Sequence, residues 1–149
     1  MKITLTCLCS LLLTFCAMSQ NKEMKLPAPQ KTGGKPLMEA LAARATNRAL
    51  DPDKSLSQQQ LSNMLWAAWG INRPDGRRTA ASAMNCQEID LYLIGKQGAY
   101  LYNATEHALE PVAEGDFRSQ VSAQEFAKNG DWIVIFVADH NKMKHPNEV

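Results

Sequence analysis

The sequence is short of cysteine and has no strong excess of charge of either sign. Its 149 residues include four cysteines, and 16 basic and 15 acidic side chains give a net charge of +1. Three of the cysteines lie before residue 17. Cys86 alone remains in the rest of the chain, which excludes an internal disulfide there. A nearly neutral chain also has no global field to attract nucleic acid, so any cation-rich site must be local.

The residue patterns of self-contained catalytic sites are missing as well. The sequence has no Ser-His-Asp arrangement, no glycine-rich phosphate loop and no paired-carboxylate signature. Cys86 has no paired histidine motif that would favour its thiolate, and a small buried residue is the better interpretation. The three histidines lack compact metal-ligand spacing. We therefore expect neither a catalytic side chain nor a metal site.

The first 19 residues have the pattern of a signal peptide. Lys2 is followed by a mostly apolar run over 3–17, and Ala17-Met18-Ser19 is a small-x-small cleavage pattern. The run is too short for a comfortable membrane span. We expect cleavage after Ser19, export to the periplasm or beyond, and a mature chain with equal numbers of basic and acidic residues.

The rest of the chain divides into three parts. Residues 20–35 are polar and rich in Pro, Gly and Lys, which predicts a flexible linker. Residues 36–139 carry the helix and strand patterns of one domain, and 140–149 form a polar tail. The continuous apolar run at 132–137 predicts a central strand buried on both faces. One of those faces lacks an evident partner element, so we expect either a second subunit or a shortened chain.

Two helices are predicted at the start of the domain. Pro36 begins the first, which fades over 44–47. Ser57 and Gln60 form a capping box for the second, and Gly70 ends it. The apolar stripe of this second helix consists of Leu61, Met64, Leu65 and Ala68.

Later residues predict strands and short turns, and the domain is therefore α+β. Residues 90–94 and 99–102 flank a glycine turn and predict a hairpin. A loop containing Pro111 follows, and then a short helix capped at Ser122. A short helical turn is also expected over 82–88.

Two cation-rich segments are candidates for binding an anion. Arg44 and Arg48 are four residues apart and would share a helix face with the Thr46 hydroxyl nearby. Guanidinium groups pair with phosphate oxygens, although a solvated helix end is the more common role of arginines at this spacing. Arg77 and Arg78 allow the same two interpretations.

Polar side chains follow the second cationic segment. Ser82, Asn85 and Gln87 could donate to or accept from a heterocyclic ligand, because amides match its donor and acceptor edge. Capping of the short turn is the alternative role for these side chains.

The ordered set of these segments resembles the nitroreductase family of flavoproteins, and in particular an exported branch related to azoline-oxidising dehydrogenases. The residues that carry the resemblance are LMEALAARATNRAL and WAAWGINRPDGRRTAASAMNCQEIDLYLI, followed by GDFR and VAD. The similarity covers 36–139. It implies a nitroreductase-like fold with a central, mostly antiparallel sheet flanked by helices.

The resemblance also implies an FMN site and a homodimer. Its phosphate-binding segment corresponds to Arg44, Ala45, Thr46 and Arg48. Its flavin-facing loop, contributed by the partner subunit, corresponds to Ser82, Ala83 and Asn85, with Gln124 as a further contact. The implied reaction is hydride transfer from NAD(P)H through the flavin to a nitroaromatic, quinone or related acceptor.

The family's chains continue beyond the strand that ends in VAD, so the resemblance implies that the C-terminal part is missing here. Ala81 also stands where the family usually has proline. The alternative function is therefore a truncated, non-enzymatic remnant, or an anionic-ligand binding domain without flavin.

Overall fold

The computed structural model describes residues 22–143, which form one antiparallel sheet with two helices beside it. The predicted signal peptide, 1–19, lies outside the described residues. The α+β class expected from the sequence is confirmed. Within 22–143, neither helix has the length and apolar character needed to cross a membrane. The helices are α1 (Leu37–Ala43) and α2 (Gln58–Trp69), and the strands are β1 (Met24–Lys25), β2 (Ile89–Ile94), β3 (Gly98–Asn103), β4 (Ala108–Glu114) and β5 (Ile133–Ala138).

The sheet has the strand order β1-β4-β3-β2-β5, and every neighbouring pair is antiparallel. The predicted hairpin is β2 and β3, in which Tyr92 lies opposite Leu101. Three short 3-10 turns complete the described chain: Ala83–Asn85, Glu125–Asn129 and His140–Lys142. The last of these begins the predicted polar tail, and Lys142 Nζ lies 2.5 Å from Asp90 Oδ1 on β2.

Helix α2 has the boundaries that its capping residues dictate. The Ser57 side chain accepts from the Gln60 backbone N–H, and the Gln60 side chain accepts in return from the Ser57 N–H. The helix ends before Gly70, where a Cβ would lie 2.4 Å from Trp66 Cδ1. Glycine is required here because the chain turns tightly over the Trp66 ring.

The core forms where α2 meets the sheet. The apolar stripe predicted for the helix supplies Leu61 and Leu65, and Trp69 extends it by one more turn. Burying side chains of this size is worth about 1.5 to 3 kcal/mol each, so this contact contributes substantially to the stability of the fold. The sheet contributes Leu91, Leu93, Tyr100, Tyr102 and Leu109.

Strand β4 was not predicted, because Pro111 suggested a loop. In the structure Pro111 lies opposite Tyr100 within the strand. Its missing N–H costs nothing, since β1 pairs with β4 at Ala108 and Leu109 only. Beyond Leu109 the outer side of β4 is an edge, where proline is tolerated.

The predicted central strand is instead the last strand of the described sheet. β5 pairs with β2 from Ile133 to Ala138 and has no further neighbour among residues 22–143. Its end is exposed: Phe136 and Val137 retain 58% and 41% of their accessible surface. The expectation of burial on both faces is therefore wrong within the described chain. Along β5 the residues from Ile133 to Ile135 are half-buried and those from Phe136 to Ala138 are exposed, so burial here falls along the strand rather than being complete on either face.

Part of the predicted linker is folded onto the domain. β1 pairs with β4, and the Leu26 N–H donates to the His107 carbonyl at 3.1 Å. The Gln30 N–H donates to Asn63 Oδ1 on α2 at 2.8 Å. Residues 24–30 are thus not a free tether, which corrects the linker predicted over 20–35.

A buried polar network holds this N-terminal segment in place. The Ser62 hydroxyl is fully buried and donates to the Pro27 carbonyl at 2.6 Å. His107 Nε2 lies 2.7 Å from Ser62 Oγ, and His107 Nδ1 lies 2.9 Å from the Tyr102 hydroxyl. Because Ser62 already donates to Pro27, it accepts from Nε2–H. In the neutral imidazole, which burial favours, Nδ1 then accepts from the Tyr102 hydroxyl.

We predict that His107 makes the fold less stable at acidic pH. Burial lowers its pKa below the ordinary 6.5, despite the raising effect of the Pro27 carbonyl, and nearby Lys31 lowers it further. The unfolded chain therefore binds a proton more readily, so stability is complete above pH 6.5 and is lost as the pH falls toward the folded-state pKa. Thermal unfolding followed by circular dichroism should show a melting temperature that drops between pH 7.5 and 5.5.

Substitution identifies the histidine responsible. His107→Gln should melt lower than the wild type at pH 7.5 but show a flatter pH dependence. His140→Gln, in the exposed 3-10 turn, is the matched control and should keep the wild-type slope. Equal slopes in the wild type and His107→Gln would contradict the assignment.

Candidate functional site

The loop after α2 folds back on itself as a short ribbon, here called the arginine loop (residues 70–79). Ile71 and Arg78 form an isolated antiparallel bridge, and the Thr79 N–H donates to the Gly70 carbonyl at 2.8 Å. Gly76 turns the ribbon with a positive φ of 79°. The loop predicted from Gly and Pro is therefore an ordered structure that holds its arginines in place.

Arg78 is the most constrained cation of this loop. Its guanidinium lies over the Trp69 ring, 5.5 Å from the centroid, and Nη1 donates to the Trp69 carbonyl at 3.4 Å. Nε donates to Gln87 Oε1 at 2.8 Å. Burial lowers the pKa of Arg78, yet the group stays charged at neutral pH. Among residues 22–143, no Asp or Glu forms a salt bridge with it.

The turn that follows is held by Ser82. Its hydroxyl donates to Glu88 Oε2 at 2.7 Å and accepts from the Gln87 N–H at 2.7 Å. The hydroxyl proton is therefore committed within the protein. The alternative that the sequence left open for Ser82, a local capping role, is the one that its hydrogen bonds support.

This turn has an unusual backbone. Met84, Asn85 and Gln87 all have φ values between 50° and 55°, the left-handed region that non-glycine residues seldom adopt. The Asn85 side-chain carbonyl accepts from Gln87 Nε2 at 3.2 Å. Residues in such conformations persist only where the surrounding contacts fix them, and they cluster at functional sites.

An open cavity of about 470 Å³ lies between the arginine loop and this turn. Three cations and the predicted Ser82 and Asn85 line it, and no acidic residue does. Ala83 belongs to the same turn and is exposed but does not line the cavity. The lining residues are Arg73, Arg77, Arg78, Ala80, Ala81, Ser82, Met84 and Asn85.

The first cationic segment has a different geometry from the one expected. α1 ends at Ala43, and Arg44 already has extended backbone angles of −66° and 123°. Arg44 and Arg48 therefore do not share a helix face, which corrects that expectation. Ala45 and Thr46 between them are exposed, and the Arg48 guanidinium lies 5.7 Å from the Phe126 ring centroid.

Gln124 belongs with this first segment rather than with the cavity. It directly precedes the 3-10 turn that carries Phe126, and its N–H donates to Ser122 Oγ at 3.1 Å. Its side chain is exposed. The sequence-predicted residues thus fall into two groups: one around Phe126, which includes Arg48 and Gln124, and one around the arginine loop.

Sequence reasoning missed several residues that order these groups. Gln87 fixes Arg78, and its Nε2 also donates to the Gly76 carbonyl at 3.1 Å. Arg118 Nη1 donates to the Gly130 carbonyl at 2.6 Å and makes a two-point contact with Asp116, which lowers the pKa of that carboxyl to about 2. The motif GDFR contains Asp116 and Arg118, but their spacing did not show that Arg118 also binds the Gly130 carbonyl.

Within residues 22–143, no group of three His, Cys, Asp or Glu side chains could hold a metal ion. Cys86 is a free, half-buried thiol.

Comparison with known proteins places these residues in a family context. Residues 41–149 match the model of the Nitroreductase family. The crystal structure of a candidate nitroreductase from Ralstonia eutropha JMP134 is 37% identical in sequence and superposes with a TM-score of 0.76. The match covers 85% of this chain and 60% of that one. No curated protein matches the sequence. The expected nitroreductase-like fold is thereby confirmed.

We predict that Ser82 stabilises the turn beside the cavity. Ser82→Ala removes one bond to a carboxylate and one from a backbone N–H, each worth about 1 kcal/mol net. Because the site is partly exposed, we expect a total loss of about 1 kcal/mol and a melting temperature lower by about 3 to 6 °C. Ser119→Ala, at an exposed loop position, is the control and should melt like the wild type. An unchanged melting temperature for Ser82→Ala would contradict the structural role.

Proposed function

Because the chain belongs to the nitroreductase family, we propose that it is an exported, FMN-dependent oxidoreductase that works as a homodimer. The observation that carries this proposal is the family match together with two groups of cations and polar residues, one at each predicted flavin-binding segment. The chain spans 60% of the length of the similar crystal structure. The activity, its substrates and the dimer are therefore all parts of the proposal.

The first group has the chemistry of a phosphate site. Arg44, Thr46 and Arg48 are exposed, and together they offer two guanidinium groups and a hydroxyl. Among residues 22–143, the side chains of Arg44 and Thr46 have no hydrogen-bonding or ion-pair partner in the protein. Arg48 is steadied by Phe126 but keeps its N–H donors available. Charge-assisted bonds from such donors are the usual means of holding a phosphomonoester, so these residues fit the phosphate of FMN.

The second group suits the flat ring of the cofactor. Ala81 and Ala83 keep side-chain bulk low, and the amide of Asn85 is exposed in the same turn. Among residues 22–143, the Asn85 NH₂ group has no protein acceptor. It is therefore available to a ring carbonyl, with Ser82 fixing the turn behind it.

The division of these groups supports the proposed homodimer. No residue of 44–48 lines the arginine-loop cavity of the same chain. A site that uses both groups is therefore best completed by the phosphate segment of one chain and the turn of its partner. Gln124 directly precedes the 3-10 turn whose Phe126 lies under the Arg48 guanidinium, and it would contact the cofactor from that side.

Bound FMN would supply two-electron chemistry between NAD(P)H and a nitroaromatic, quinone or related acceptor. The chain's own residues would bind and orient the reactants. Arg44 and Arg48 hold the phosphate, while Ala81, Ala83 and Asn85 shape the space over the ring. In this proposal the cofactor supplies the chemistry and the protein supplies binding and orientation, which agrees with a sequence that has no catalytic constellation of its own.

We predict that the purified protein binds FMN through the first group. The protein should be yellow as purified, or should retain flavin absorbance in the visible blue after FMN is added and the free FMN is removed by gel filtration. Arg44→Gln combined with Arg48→Gln should weaken FMN binding by about tenfold or more, because each loses a charge-assisted contact. Quenching of FMN fluorescence on titration gives the dissociation constant.

The control for this titration is Lys54→Gln, which removes a cation whose side chain is 85% exposed and should leave FMN affinity unchanged. A colourless protein that gains no flavin signal would overturn the proposal. Phosphate binding without flavin would instead support an anionic-ligand binding domain. Sedimentation of the FMN-loaded protein at one chain mass would contradict the homodimer.

Export generates a further prediction. Expression of the full chain in a Gram-negative host should yield periplasmic protein whose mature N-terminus is Gln20. N-terminal sequencing of the osmotic-shock fraction measures this directly. Introducing a positive charge into the apolar run, as in Leu12→Arg, should retain the uncleaved chain in the cell because charge disrupts the signal. Cytoplasmic protein that still begins at Met1 would contradict export.

A further inference from the structure

We propose that the arginine-loop cavity recognises an anionic group, a phosphate or a carboxylate, on the small molecule that exchanges electrons with the flavin. This inference rests on the proposed function and names a substrate class for it. The cavity is lined by three arginines, and no acidic residue lines it. At about 470 Å³ it has room for a phosphate or carboxylate with the adjoining part of a small molecule.

Arg78 supplies the fixed point of this site. It is partly desolvated, as the burial-lowered pKa indicates, and its guanidinium is held by the Trp69 carbonyl and Gln87. Those contacts use Nε and one N–H of Nη1. Among residues 22–143, Nη2 has no protein acceptor. Asp90 attracts Arg78 through its charge but forms no ion-pair contact with it, so the burial of this cation is only partly compensated and an incoming anion would reduce the remaining cost.

The side chains of Arg73 and Arg77 are less constrained than that of Arg78 and can adjust to the anion. Among residues 22–143, the Arg73 side chain has no hydrogen-bonding or ion-pair partner. Arg77 Nε lies 3.4 Å from Asp75 Oδ2, and both side chains are more than half exposed. An exposed pair of this kind is worth little, so an anion in the cavity can compete for Arg77. Three guanidinium groups then converge on one anion, with the fixed Arg78 setting its position.

The local charge makes the cavity selective. The chain as a whole is nearly neutral, whereas this cavity is lined by three arginines and no acidic residue. A neutral acceptor of the same shape can accept hydrogen bonds from the arginines but lacks the attraction between opposite charges. The geometry therefore favours a reactant that carries a phosphate or a carboxylate over its uncharged analogue.

The test separates the two possible sources of the anion. FMN-loaded wild type, Arg73→Gln, Arg77→Gln and the control Lys54→Gln would be compared in low salt. A phosphate source predicts a lower KM for NADH or NADPH than for 1-benzyl-1,4-dihydronicotinamide, a hydride donor that carries no phosphate. A carboxylate source predicts a lower KM for 4-nitrobenzoate than for its methyl ester. Either preference should fall by about three- to tenfold in Arg73→Gln and Arg77→Gln, and stay unchanged in Lys54→Gln.

A binding measurement that does not depend on activity accompanies the kinetics. Calorimetric titration with inorganic pyrophosphate should show binding to FMN-loaded wild type that weakens by about three- to tenfold in the two arginine variants and with added salt. FMN content is measured in every sample. Normal FMN content with no charge preference and no pyrophosphate binding would overturn this inference alone. Pyrophosphate binding that needs Arg73 and Arg77 in a protein that takes up no FMN would overturn the proposed function instead.

Discussion

The contact between Trp69 and Arg78 links the core to the candidate site, and the geometry of the arginine loop and of the turn after it depends on it. Trp69 ends α2 with 4% of its surface exposed and packs in the core formed with the sheet. The Arg78 guanidinium lies over the Trp69 ring, and the Trp69 carbonyl accepts a hydrogen bond from the same group. The position of the arginine loop is therefore set by the packing of α2. Through Gln87, Arg78 also orders the strained turn that carries Asn85.

Local sequence signals predicted the elements whose causes are local. Ser57 and Gln60 bound α2 because the capping box is made within four residues, and the stripe that begins at Leu61 faces the core because helical spacing fixes it. The β2–β3 hairpin followed from its glycine turn in the same way. Elements that depend on distant partners were missed. β1 exists because β4 offers it an edge, and β4 tolerates Pro111 because that edge is left open beyond Leu109.

The candidate site shows the same contrast between features with local causes and features that depend on residues distant in the sequence. Sequence spacing located the cationic segments, yet it placed Arg44 and Arg48 on a helix that in fact ends at Ala43. It treated Arg77 and Arg78 as equivalent neighbours, whereas Trp69 and Gln87 hold Arg78 and leave Arg77 exposed. Ser82 was correctly placed in the turn, but its partners at Gln87 and Glu88 could be known only from the folded chain. The residue type shows which groups a side chain can bind. Packing decides which of its hydrogen-bonding atoms remain available to a ligand.

The two cationic groups therefore differ in how firmly protein contacts fix them, and this difference affects how a site would assemble. Arg44 and Thr46 lie on exposed chain after α1, where little protein contact fixes them. The arginine loop is tied to the core through Trp69 and is ordered before any ligand arrives. Pre-ordered donors bind with a smaller entropic loss, whereas donors on exposed chain must be immobilised by the ligand itself. A cofactor shared between such groups would be oriented by the rigid turn and retained by the phosphate segment that closes on it.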